Sequence, residues 1–295
     1  MTGTPQLSRR ALLQGATLTV GAAALLRTAF KPTPALAQQG DMPPGTVHSF
    51  AKGGVTFHSY VSPAMVVNVT AHVVEFDDAL MLVDSTFMPP TAAEVAGLIS
   101  AAGKPVAQAI TSHEHPDHWG GAPAFEGITF DTLPEIREGI RAESGGDFGT
   151  PTNVLDGGDI IPGMTEIAGV PVDFRHYRDN EAPHMLVAVL PEQQVAIVQD
   201  LVYNGVFFAP GVNRKNWIAT LEELRDDPAC ETLLVGHGLP TSRGELDTAI
   251  AYVKAMDEVL ATAANPEEAS AQIKAAYPGY GGDFLLSLIA EYWDR

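Results

Sequence analysis

The chain has 295 residues, 45% of them hydrophobic, and carries 36 acidic against 17 basic side chains for a formal net charge of −19. That apolar content is ample for one large domain or two small ones and argues against a disordered chain. An acidic surface of this size repels phosphate backbones and anionic lipid, so neither nucleic acid nor a membrane surface is an expected partner.

The first segment reads as an address rather than as part of a fold. Ser8-Arg9-Arg10-Ala11-Leu12-Leu13 has the pattern of a twin-arginine signal, an apolar run from Ala11 to Leu26 follows, and Ala35-Leu36-Ala37 supplies a small-x-small cleavage site. The run is shorter than the ~20 residues that span a bilayer, so stable membrane insertion is not expected. Residues 1–37 are therefore assigned to a signal read by the twin-arginine export machinery, and the mature protein is expected to be periplasmic or secreted. Cleavage would remove Arg9, Arg10, Arg27 and Lys31 and no acids, leaving the remainder more acidic still. The single cysteine, Cys230, cannot form an intramolecular disulfide and precedes an apolar run, where a packing role is expected.

Residues 38–50, rich in Gln, Gly and Pro, read as a linker, and 51–295 as the globular domain. Strands are expected over Val55 to Val61, Val66 to Phe76 and Leu80 to Asp84, then a helix over Thr91 to Ala102 stopped by Gly103. A strand from Pro105 to Thr111 leads into a histidine-rich segment, and a helix covers Leu133 to Ala142. Strands return over Ile160 to Tyr177, Met185 to Leu190 and Gln194 to Val198. A helix near Trp217 to Arg225, a short strand from Glu231 to Val235 and three further helical stretches (Arg243 to Ala263, Pro266 to Ala276, Phe284 to Trp293) complete the chain. This alternation in two halves predicts a mixed α/β fold of two sheets packed face to face with helices outside.

The chemistry concentrates in Thr111-Ser112-His113-Glu114-His115-Pro116-Asp117-His118-Trp119-Gly120-Gly121. Imidazole and carboxylate are the ligands expected for zinc. On an extended segment His113 and His115 share a side, and a turn stiffened by Pro116 brings Asp117 and His118 round to the same pocket, so one stretch can serve two metals. Three isolated residues at later strand ends, His184, Asp200 and His237, are candidates for the remaining ligands.

The motif His-x-His-x-Asp-His followed by single His, Asp and His resembles the metallo-β-lactamase superfamily, and the similarity runs from about Val66 to His237. The resemblance implies a four-layered αββα sandwich with its site at one edge. It implies that His113, His115 and His184 bind a first metal, that Asp117, His118 and His237 bind a second, and that Asp200 bridges both. Two Zn2+ are the expected cofactors, with Fe or Mn as alternatives. Asp84 would orient the ligand loop. Two metals would activate a water for attack on a small carbonyl substrate, an ester, thioester, lactone or amide, with Asp117 orienting or deprotonating the nucleophile.

Departures from the commonest zinc β-lactamases are also visible. Asp200 stands where they use cysteine, and Tyr203 stands where they place a lysine. Aspartate as the bridge resembles the glyoxalase II and lactonase branches, and a tyrosine three residues later, here Tyr203, resembles the acyl-homoserine lactonases, where it assists at the substrate carbonyl. Tyr203 is equally compatible with a core aromatic. A β-lactamase in the strict sense and a mononuclear-iron sulfur dioxygenase remain the alternatives. His72 could face the cavity or be a satisfied core histidine, and the Asn213-Arg214-Lys215-Asn216-Trp217 segment could line a pocket or begin a helix with Trp217 packed inward.

Overall fold

The computed structural model describes residues 42–145 and 149–293, and the segment 1–37, expected to be a twin-arginine signal, lies outside them. The first sheet holds β1 (Thr46–Lys52), β2 (Val55–Val61), β3 (Thr70–Glu75), β4 (Leu80–Val83) and β5 (Val106–Ile110), in that order. The second, of six strands, runs β11 (Thr241–Ser242), β10 (Thr232–His237), β9 (Val195–Tyr203), β8 (His184–Leu190), β7 (Val170–Arg178) and β6 (Gly163–Ile167). Each sheet contains one parallel pair, β4 with β5 and β9 with β10, and is otherwise antiparallel.

Period-two alternation explains why the second sheet is the inner partition of the molecule. Leu186, Ala188 and Leu190 of β8 enter the core shared with the first sheet, whereas Met185, Val187 and Val189 enter a second core beneath the outer helices. Leu234 and the pair Leu233 and Val235 of β10 divide in the same way. A strand buried on both faces reads as an unbroken apolar run, as these do. Helix α1 (Pro89–Ala102) packs Ala92 and Val95 into the first core, joined by Ile136 and Ile140 of α3 (Pro134–Glu143) beyond the one-turn helix α2 (Pro116–Trp119). After the short α4 (Thr152–Leu155), helices α5 (Arg214–Asp226), α6 (Glu245–Thr262) and α7 (Pro266–Ala276) cover the far side of the second sheet. The result is the four-layered αββα sandwich. Among the described residues no helix is long and apolar enough to cross a membrane.

Three segments differ from the sequence expectation. The end of the expected linker is strand β1, paired along its length with β2. Its side chains are mostly exposed, so it lacks the hydrophobic alternation that marks a strand. The expected strand over Val66 to Phe76 begins only at Thr70, because Val67 and Asn68 take left-handed φ of 49° and 55° after a short 3-10 turn. The stretch at Asp283–Tyr292 is a 3-10 helix. Cys230 is buried, as a packing residue should be.

Topology then fixes where chemistry can sit. The C-terminal ends of the parallel strands β4 and β5 open at one edge of the first sheet. The ends of β9 and β10 open at one edge of the second, and β8, antiparallel to β9, begins there. The two edges meet where Thr70 Oγ1 donates to the Val235 carbonyl at 2.6 Å and Val69 bridges to His237.

Candidate metal centre

The histidine-rich turn follows β5. Pro116 opens the single turn of α2, its fixed φ suiting a first helical position, and the indole of Trp119 donates to the Glu114 carbonyl at 2.7 Å and ties the turn shut. Asp84, at the end of β4 with φ 61°, lies directly beneath. Its Oδ1 accepts the Ser112 amide at 2.7 Å, and its Oδ2 accepts the Ser112 hydroxyl and His118 Nδ1, each at 2.7 Å, with Gln199 Nε2 as a further donor. Burial works against ionisation of Asp84, but the adjacent His118 and the donated hydrogen bonds hold it below the ordinary carboxylate range.

This anchoring settles which imidazole nitrogen faces inward. His118 Nδ1 donates to a carboxylate, and His237 Nδ1 donates to the Val67 carbonyl at 2.8 Å. The Ser112 hydroxyl, committed as donor to Asp84, accepts from His113 Nδ1 at 2.9 Å. With Nδ1 engaged in all three, each ring turns its Nε2 toward the interior. There they meet acceptors. His118 Nε2 lies 3.0 Å from Asp200 Oδ1, His113 Nε2 3.5 Å from Asp200 Oδ2, and His237 Nε2 3.3 Å from Asp117 Oδ2 and 3.4 Å from Asp200 Oδ2. His115 Nδ1 lies 3.1 Å from His113 Nε2 and 3.5 Å from Glu181 Oε2.

Converging lone pairs need a cation between them or protons upon them. The metal-free chain is driven toward protons: against the opposing effect of burial, Asp200, Asp117 and Asp84 raise His118 well above its ordinary value, and Asp200 and Asp117 push His237 up to about 9. Burial and the neighbouring His113 push His115 down to about 3. Asp117 is drawn down to about 2 by His118 and His237 despite its burial. Glu181 is raised well above its ordinary value by burial and by Asp200 and Asp117. Even so, His118 Nε2 and Asp200 Oδ1, though 3.0 Å apart, are not aligned for a hydrogen bond, and with Glu181 Oε2 they are buried without a hydrogen-bond partner. The donor set and these orphaned atoms fit the binding of a divalent metal. His113, His115, Glu181 and Asp200 form one possible ligand group, and Asp117, His118 and His237 another.

Asp200 reaches this position through an irregularity in β9. The register against β10 shifts between Leu234 and Val235, and Gln199 takes a left-handed φ of 44°, which re-aims the next side chain. Gly236 on β10 makes the room, since a Cβ there would lie 1.7 Å from Asp200 Oδ1. Tyr203, at the end of β9, donates its hydroxyl to Asp200 Oδ2 at 2.7 Å and lies 3.3 Å from Glu181 Oε1. Its ring stacks between His237 and Phe208. Burial and Asp200 raise its hydroxyl well above the ordinary phenol value, so it stays a donor.

Six of the seven residues expected as ligands thus come together: His113, His115, Asp117, His118, Asp200 and His237. His184 does not. It already pairs with Arg178 as the first residue of β8, and its half-buried ring sits 3.1 Å from His176 Nε2, beside Glu135. The β7–β8 turn supplies Glu181 instead. Asp179 N donates to Pro183 O and Asn180 N to Ala182 O, leaving Glu181 at the turn's tip. The signal for it was slight, an acidic residue three positions before a histidine. Gln199, which links His72 and Asp84 across the sheets, was also missed. His72 is a satisfied core histidine held by Ser59, Gln199 and the Val235 carbonyl. Trp217 packs inward and donates to the Leu201 carbonyl at 3.0 Å, and Asn213 caps α5.

The fold and this edge site define the class, and sequence comparison agrees. The model of the metallo-beta-lactamase superfamily matches residues 64–237, more than half of the chain, and the chain belongs to that superfamily. Solved structures similar in fold include a metallo-beta-lactamase from Pontibacter korlensis (18% identity, TM-score 0.58, covering 71% of this chain and 99% of that one). VMB-1 is another (15% identity, TM-score 0.60, 72% and 98% covered). The metallo-beta-lactamase FIM-1 from Pseudomonas aeruginosa in its mono-zinc form is a third (16% identity, TM-score 0.58, 73% and 97% covered).

Proposed function

We propose that the chain is an exported dinuclear metallohydrolase that cleaves a small ester, thioester, lactone or amide. The observation that carries this reading is the set of three imidazoles whose Nδ1 atoms are anchored and whose Nε2 atoms converge on Asp117 and Asp200. His113, His115, Asp117, His118, Asp200 and His237 would hold the metals, with zinc the expected ion. Bound divalent ions supply Lewis acidity, polarising a carbonyl and activating a water nucleophile.

The chain's own residues do the positioning. Asp84 and the Val67 carbonyl fix the rings of His118 and His237, so no reorganisation is needed as charge develops. Asp117 offers a carboxylate oxygen to orient the attacking water and take its proton. Tyr203 keeps its hydroxyl proton and can turn it from Asp200 to a developing oxyanion. Initial rates on a lactone, a thioester and a chromogenic β-lactam, using metal-reconstituted protein, test the proposal. Turnover of the lactone or thioester is expected. Turnover of the β-lactam alone would make the protein a strict β-lactamase, and no turnover with two metal equivalents bound would contradict hydrolysis.

A further inference from the structure

We propose that Glu181 completes the first half of the metal centre in place of a third histidine, so that the centre accepts harder ions such as Mn2+ and Fe2+ as readily as zinc. This rests on the dinuclear reading above and assigns the ligand and metal preference that the reading leaves open.

Four observations carry it. Glu181 is buried, at 5% relative exposure, and its Oε2 has no hydrogen-bond partner although His115 Nδ1 lies 3.5 Å away. A carboxylate buried in that state is costly unless a proton neutralises it or a cation compensates it, and the His113, His115 and Asp200 ligand atoms gathered around it would suit a cation. Its other oxygen is within 3.3 Å of the Tyr203 hydroxyl, which also binds Asp200, so one phenol spans the proposed terminal and bridging carboxylates. The turn that presents Glu181 is tied down, as the Val212 amide donates to the carbonyls of both Asn180 and Glu181. Lastly, the histidine expected for this role has other partners, His176 and the strand-pairing residue Arg178.

The exchange alters the centre's chemistry. With Asp200 counted in both halves, each half then offers two imidazoles and two carboxylates: His113, His115, Glu181 and Asp200 in one, and Asp117, His118, His237 and Asp200 in the other. A set with three imidazoles would favour borderline ions. Substituting an anionic oxygen donor adds one negative charge and moves the preference toward hard ions, and two histidines with a carboxylate are a familiar ferrous-ion set.

Metal titration of the purified, chelator-stripped protein tests this without reference to turnover. Equilibrium dialysis with Mn2+ and with Zn2+, followed by elemental analysis, should give two equivalents of either ion for the wild type. Glu181→Ala and the near-isosteric Glu181→Gln should keep one equivalent and bind the second about tenfold or more weakly. Glu181→His should bind two but shift the Zn2+/Mn2+ affinity ratio toward zinc by about tenfold. His184→Ala should match the wild type, and circular dichroism should confirm that each variant is folded. Two equivalents bound by Glu181→Gln at wild-type affinity, or loss of one in His184→Ala, would overturn the assignment while leaving the dinuclear reading intact. A wild type that binds neither ion would overturn both.

Discussion

The two sheets contribute to the centre in opposite ways. The first provides His113, His115, Asp117 and His118 from one continuous turn after β5, braced from below by Asp84. The second provides Glu181, Asp200 and His237 from three separate points, a hairpin tip, an irregularity within β9 and the end of β10, each reached by its own backbone device. A contiguous turn carries its geometry in its own sequence. A site assembled from separate strands depends on register, and a single shift decides which side chain arrives.

That contrast can be broken most severely on the second sheet. Gly236→Ala places a methyl where Asp200 Oδ1 now lies, so Asp200 must move away from both halves of the centre. Loss of both metal equivalents and of nearly all hydrolytic activity is expected, with elemental analysis as the check. Two equivalents retained would show that Asp200 is not shared.

The first sheet should fail more gently. Asp84→Asn keeps the left-handed backbone, which asparagine tolerates, but gives up one of the acceptors that serve Ser112, His118 and Gln199. Metal affinity should fall about 10- to 100-fold, as is usual when the partner of a ligating histidine is lost. An unchanged affinity measured by calorimetry would mean that the turn holds its shape without Asp84.

The smallest effect concerns the seam between the sheets. Burial lowers His72 to about 4 from an ordinary 6.5, so the unfolded chain takes up a proton at higher pH than the folded one. Stability should therefore be intact above pH 6.5 and fall as pH drops through the interval toward 4, by roughly 3 kcal/mol in all. Urea unfolding at pH 7 and pH 4.5 should show a loss that His72→Gln reduces. An equal loss in the variant would place the acid sensitivity elsewhere.

The same contrast governs what could be read from the sequence. The first-sheet turn was legible because its ligands are two, two and one residue apart and its local chemistry, Pro116 before Asp117 and His118, dictates the bend. The buried strands of the second sheet were legible as unbroken apolar runs. Glu181 was not, because choosing between it and His184 requires knowing that β8 begins at His184 and that the chain reverses between Asp179 and Pro183. The left-handed Val67 and Asn68 were hidden for a related reason. Val-Val-Asn-Val reads as a strand, and the interruption is held by tertiary contacts that the local sequence does not show, among them the Val67 carbonyl accepting from His237 and the Asn68 carbonyl accepting from the Gly238 amide. Strand β1 escaped because an exposed edge carries no core pattern.

On the reading proposed above, seven side chains, Glu181 among them, hold a metal pair. Anomalous diffraction from crystals grown with Mn2+, recorded on both sides of the metal edge, tests it most directly. Two peaks should appear a few ångströms apart, both against Asp200, one ligated by His113, His115 and Glu181 and the other by Asp117, His118 and His237. A single peak, or a first metal bound by His184 with Glu181 turned away, would contradict it.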